Sequence, residues 1–139
     1  MQIIVDLANG VTADASLRSQ SVTANANGVG VDLANADVRT HLVCNLGAVT
    51  NTGNFTIKAQ ESDDNSTFTD VADTNSTFNV TNASANTLTI KSFVRTKRYV
   101  RARMTLNTAG DAFLAGVAIL SQKKYEGSNN AGYSISPQS

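Results

Sequence analysis

The sequence predicts an all-β fold, an antiparallel β-sandwich most simply arranged as a jelly roll. Three observations predict it. Apolar and polar residues alternate at period two in several runs of five to nine residues. Turn-forming residues separate these runs at intervals of roughly ten. Ser, Thr, Asn and Ala dominate, with one proline and no tryptophan, so the surface relies on short polar side chains and tight turns. No stretch sustains a helical period, because Gly and Asn interrupt the candidates. About eight strands in one domain then fit a sandwich.

Taken in order, residues 1–28 are rich in Ala, Asn and Ser and read as an extended N-terminal arm with room for one edge strand. The β-sandwich domain is expected over residues 29–120. Gly28-Val29-Gly30 is a turn opening a strand at Gly30–Leu33; a GxG before a strand lacks the rest of a phosphate loop. In Thr40–Leu46, Leu42, Cys44 and Leu46 share one face and His41, Val43 and Asn45 the other. Phe55–Glu61 places Ile57 and Ala59 on one face. The polar run Ser62-Asp63-Asp64-Asn65 breaks the pattern, and Phe68 and Val71 resume it in Thr67–Val71. Thr77–Thr81 and Thr87–Phe93 are short strands of the same kind. In Arg98–Leu106, Val100, Ala102, Met104 and Leu106 point inward, while Tyr99, Arg101, Arg103 and Thr105 point outward. Phe113–Leu120 is apolar on both faces, as a central or interface strand would be. The tail over 121–139, SQKKYEGSNNAGYSISPQS, has too few apolar residues to pack alone and reads as flexible.

The 139 residues form one domain by length, large enough to bury roughly 68% of the unfolded chain's surface. Cys44 has no partner for an intramolecular disulfide and reads as a small apolar strand residue rather than a nucleophile. The start, MQIIVDLANG, lacks a basic leader and a long apolar core and reads as mature sequence. No apolar run approaches the roughly 20 residues that span a bilayer, so a soluble protein without a membrane partner is expected. Eleven basic and eleven acidic side chains cancel. Residues 1–90 nevertheless carry three basic and nine acidic groups, and residues 91–139 carry eight basic and two acidic. That layout suits copies meeting positive face to negative face, unless folding mixes the halves.

Catalysis finds little support. His41 stands in mid-strand with no HxxxH or CxxC spacing near it, so zinc ligation and Cys/His chemistry both lack partners. The knot Glu61-Ser62-Asp63-Asp64, with Asn65 and Asp70, offers hard oxygen ligands within a short span. It departs from the spacing of a calcium loop and has no glycine for the bend, so it reads as a hairpin. Five N-x-S/T sequons, at Asn54, Asn65, Asn75, Asn79 and Asn82, read as by-products of Asn- and Thr-rich turns. The run from Lys91 to Arg103 holds six of the basic residues, among them Arg95, Lys97 and Arg98. A protein interface, a solvated face and a nucleic-acid patch are all consistent with it. Arg and Tyr on one strand face favour the protein interface, formed by Tyr99, Arg101, Arg103, Arg95, Lys97 and Arg98.

FTIKAQESDDNSTFTDV, followed some thirty residues later by RYVRARMTLNTAG and FLAGVAIL, resembles a pattern of small structural proteins of tailed-phage virions; VDLANG and VDLANAD look similar too. The resemblance covers roughly residues 29–120. It implies a capsid decoration (cement) protein: a non-enzymatic jelly-roll homotrimer on the outer surface of the shell, clamping major capsid protein subunits, with no cofactor and no nucleic acid partner. The same segments resemble, less closely, discoidin-like carbohydrate-binding sandwiches, with Asn65 and Phe68 where that family has Gly and Trp. A glycan- or receptor-binding module of a tail or fibre is therefore the alternative.

Overall fold

Ten antiparallel strands stack as two sheets in the computed structural model, which describes residues 11–50, 55–107 and 112–123. In chain order they are β1 (Val11–Val22), β2 (Ala26–Asn27), β3 (Val31–Asp32), β4 (Ala36–Thr50), β5 (Phe55–Ser62), β6 (Thr69–Asp70), β7 (Thr77–Val80), β8 (Leu88–Val94), β9 (Tyr99–Leu106) and β10 (Ala112–Lys123). Sheet A runs β1-β10-β4-β8. In sheet B the short β2 and β3 share one edge of β9, and β6 and β7 share the outer edge of β5, which pairs with β9. Counting each interrupted edge as one strand gives two four-stranded layers.

The pairings are nested. β1 pairs with β10, β2 and β3 with β9, β4 with β8, and β5 with β6 and β7. A long antiparallel ribbon rolled upon itself produces this order, which is that of a jelly roll. The expected fold class is therefore the observed one.

The core follows from the two-residue period. Leu42, Cys44 and Leu46 of β4, Phe55, Ile57 and Ala59 of β5, Val100, Ala102 and Met104 of β9, and Ala115, Val117 and Ile119 of β10 are all buried between the sheets. Burial pushes the Cys44 thiol up to about 12, so the thiolate needed for nucleophilic chemistry is absent at neutral pH.

β1 places residues 11–22, expected as an arm, in the sandwich as the edge strand of sheet A. The sequence signal is faint there because the β1–β10 register shifts between Ala15 and Leu17 and again between Leu17 and Gln20, which interrupts the alternation. Ser16 uses the first irregularity to tie the sheets together. Its hydroxyl donates to Val29 O (2.7 Å) and accepts from Ala102 N–H (2.9 Å), and its carbonyl accepts from Val29 N–H (2.6 Å). Ser121 to Lys123, expected in the flexible tail, continue β10 beyond its expected end. The tail beyond residue 123 and the first ten residues lie outside the described residues.

Candidate functional site

The outer face of sheet B collects three of the six interface residues singled out from the sequence, Tyr99, Arg101 and Arg103. Register sets Arg101 opposite Gln60, Arg103 opposite Lys58 and Tyr99 opposite Ser62. Alternation along β9 and β5 points Tyr99, Arg101, Arg103, Lys58 and Gln60 outward, each partly exposed. Arg101 donates from Nε and Nη2 to Gln60 Oε1 (3.0 and 2.7 Å), and its guanidinium lies 4.2 Å from the centre of the Phe68 ring. Gln60 in turn donates to one oxygen of Asp70 (2.8 Å), and Lys58 donates to the other (2.9 Å). Those two bonds, Gln60 first, hold the Asp70 carboxyl below the usual range. Arg103 donates to Asn27. Desolvation, then the neighbouring Arg103, lowers the Arg101 guanidinium. Arginine over an aromatic ring and bonded through two nitrogens loses little freedom on meeting a partner. The face is therefore pre-organised.

Arg98 forms a bidentate pair with Asp32 (2.8 Å at both nitrogens) and sits 5.0 Å from the Tyr99 ring centre. That pair, with the Ala34 N–H, draws the Asp32 carboxyl down to about 2. Lys97 approaches Asp63 at 4.0 Å. Both ion pairs join the acidic first part of the chain to the basic last part, so folding mixes the two halves.

Arg95 departs from the set. It is only 7% exposed and lies inside the molecule. Its Nη2 donates to Leu33 O, Ala36 O and Asp37 O, and its Nη1 to Lys97 O. It works as a clamp on loop carbonyls, because the chain between β8 and β9 turns inward at this point. Sequence alternation alone does not reveal such a turn.

The acidic knot divides in the same way. Glu61 belongs to β5, is 2% exposed, and accepts from Thr96 N–H (2.8 Å) and Thr96 Oγ1 (2.7 Å). Asp64 Oδ1 accepts from Ser66 N–H, Thr67 N–H and Ser62 Oγ, all within 2.9 Å. Asn65 turns the chain at φ 59, in the left-handed region that Asn tolerates. The stretch thus forms the β5–β6 hairpin expected of it. Thr67 N–H first, then Ser66 N–H and Ser62, draw the Asp64 carboxyl down to about 2. This lies below the unfolded value of about 3.9, so its contribution to stability is complete above about pH 4 and is lost as pH falls toward 2. Asp64→Asn is expected to flatten the fall in melting temperature between pH 5 and pH 2. Parallel curves for the two proteins would assign that fall to other groups.

His41 and Ser92 face each other across β4 and β8, with His41 Nδ1 and Ser92 Oγ 2.6 Å apart. The pair lies on the open face of sheet A, and no carboxylate bonds His41 among the described residues. No cluster of three or more His, Cys, Asp or Glu that could hold a metal occurs among them either. No helix in the described residues is long and apolar enough to cross a membrane.

The outer face of sheet A contrasts with that of sheet B. Leu88 (63% exposed), Ile90 (58%) and Val94 (39%) stand on β8, with Leu114 (47%) on β10. Val43, Ala118 and Leu120 fill the space between.

No protein-family model matches the chain, and no curated protein matches it significantly. Among solved structures, the PBSX exported protein XepA is similar over 92% of this chain at 20% identity with a TM-score of 0.56. The chain spans 42% of the length of that protein. A pilus protein of the Bacillus endospore appendages is similar over 83% of this chain and 90% of its own, at 14% identity and a TM-score of 0.44. The SPBc2 prophage-derived protein YomS is similar over 85% of this chain and 99% of its own, at 13% identity and a TM-score of 0.38. The likeness to XepA shows a shared sandwich fold.

Proposed function

We propose that this chain is a non-enzymatic virion structural protein that decorates the outer surface of a phage capsid and bridges major capsid protein subunits, acting as a homotrimer. The observation that carries the reading is the pre-organised outer face of sheet B, where hydrogen bonds hold Arg101, Arg103 and Lys58, with Tyr99 on the same strand face. A face of fixed donors suits a protein surface bearing carboxylates. The resemblance of the β5–β6 hairpin and the RYVR strand to virion proteins supports it, as does a jelly-roll fold shared with a PBSX exported protein. Phe68 lies beneath Arg101, which occupies the ring face a sugar would stack upon.

The mechanism is mass action. A ligand that binds only the assembled shell stabilises it by RT ln(1 + [L]/Kd) per site, and several linked copies multiply the effect. Charge reversal at both Arg101 and Arg103 is expected to weaken association with particles about tenfold or more while the circular dichroism spectrum stays that of the wild type. Co-sedimentation with purified shells reads this directly. Equal binding by the double variant would mean that the face is merely solvated.

A further inference from the structure

We infer that the outer face of sheet A is where one copy of this chain seats on another. The inference rests on the structural-protein reading for its purpose but on separate residues for its evidence. β8 raises Leu88, Ile90 and Val94 as an exposed ridge along one edge of the sheet. Next to it, toward β1, lies a shallow depression of about 340 Å³ with Ala15, Ser19, Gly116 and Ala118 among its lining residues. The trough exists because small residues meet there. The Ser19 backbone lies about 3.2 Å from where a Cβ on Gly116 would sit, so β1 folds down onto β10 at its second register shift.

A ridge and a trough on the same molecule are complementary to each other. A second copy therefore supplies both halves of the contact from the same residues, whether rotation closes the assembly after two copies or three. The size is adequate: four strands about 4.8 Å apart, each contributing about ten residues of 3.3 Å, present roughly 600 Å², near the roughly 800 Å² per partner of a standard interface. Charge is sparse on this face: Arg18 is the one charged side chain lining the trough, and Arg39 stands beside the ridge opposite Val94. This leaves the charged face of sheet B for a different partner.

Cysteine pairing tests the inference. Ile90 and Ala118 both lie opposite Val43, on either side of β4. They are thus two strand spacings apart, about 9.6 Å, beyond the roughly 7 Å that a disulfide bridges within one chain. Cys44 is buried. In the full-length Ile90→Cys/Ala118→Cys double variant, mild oxidation is expected to join copies covalently on a non-reducing gel. In light scattering, Ile90→Asp is expected to bring the wild-type oligomer down to the 14.6 kDa monomer. A wild-type monomer at every concentration, or an oligomer that neither cross-links nor responds to Ile90→Asp, overturns the inference. Because these measurements use the free protein, their failure is separate from any failure of particle binding.

Discussion

Arg95→Ala is expected to destabilise the protein by about 3–5 kcal/mol, lowering its melting temperature by about 10–15 °C for a domain of this size. The guanidinium is buried and supplies four hydrogen bonds to the carbonyls of Leu33, Ala36, Asp37 and Lys97. Those carbonyls belong to the β3–β4 connection, to the first residues of β4 and to the turn between β8 and β9, so one side chain ties two crossings at one end of the sandwich. Truncation takes one donor from each of these carbonyls; Leu33 O keeps the Ala36 N–H and Asp37 O keeps Ser121 Oγ, and any acceptor left unpaired beyond water's reach costs about 1–3 kcal/mol. It also removes a positive charge that interacts with the buried Glu61. Arg95→Lys is expected to recover only part of the loss, because an ammonium cannot reproduce the planar fork. Thermal denaturation of both variants decides the matter. A shift below about 3 °C for Arg95→Ala would show that water replaces the guanidinium freely.

The second large effect is expected at Gly28. A Cβ there would stand 2.7 Å from Ser16 O and 2.9 Å from Ser16 C, both backbone atoms, and 2.3 Å from Ser16 Oγ. Backbone cannot move aside as a flexible side chain can. Gly28→Ala must push β1 away from the crossing and strain the bonds from Gly28 N–H to Ala102 O (2.7 Å) and from Val29 N–H to Ser16 O (2.6 Å). Overpacking of this kind costs about 1–3 kcal/mol, and each weakened hydrogen bond adds about 1. A loss of about 3 kcal/mol is therefore expected in urea denaturation. Ser16→Gly in the same chain removes the side-chain part of the clash but not the backbone part, so it should not restore stability. Full rescue by Ser16→Gly would place the conflict in the hydroxyl alone.

Gly28 and Arg95 also mark the limits of what sequence reading recovers. Alternation located β4, β5 and β9 because each has one face against the core, and a buried face imposes period two on the residues; β10 was located as a run apolar on both faces. The direction in which Tyr99, Arg101 and Arg103 point followed from the same rule. Two things broke it. In β1 the register shifts interrupt the period, so a twelve-residue strand resembled an arm. Between β8 and β9 the chain turns, and a turn carries no period from which to read Arg95 as internal. Glu61 was placed in a polar knot because its neighbours are polar, yet it is the last inward-facing position of β5 before the hairpin. The partners of the outward arginines, Gln60, Phe68 and Asp70, depend on β5 pairing with β9 and β6, which sequence spacing does not specify. Had that pairing been assumed, the common register of Gln60 with Arg101 would have revealed the hydrogen-bonded set.

The two sheet faces differ in chemistry, and the proposed role divides along the same line. Sheet B presents fixed charges and sheet A an apolar ridge and trough. A protein that stabilises a shell needs both a contact with the shell and a means of linking copies, since linked copies gain avidity from each additional site.

A cryo-electron microscopy map of the native virion tests the central claim most directly. Density for this jelly roll is expected on the outer surface of the capsid, with the Arg101 and Arg103 face of sheet B against major capsid subunits and sheet A against neighbouring copies. A complete map of the particle with no density for the fold, or density that turns sheet B to solvent, would contradict it.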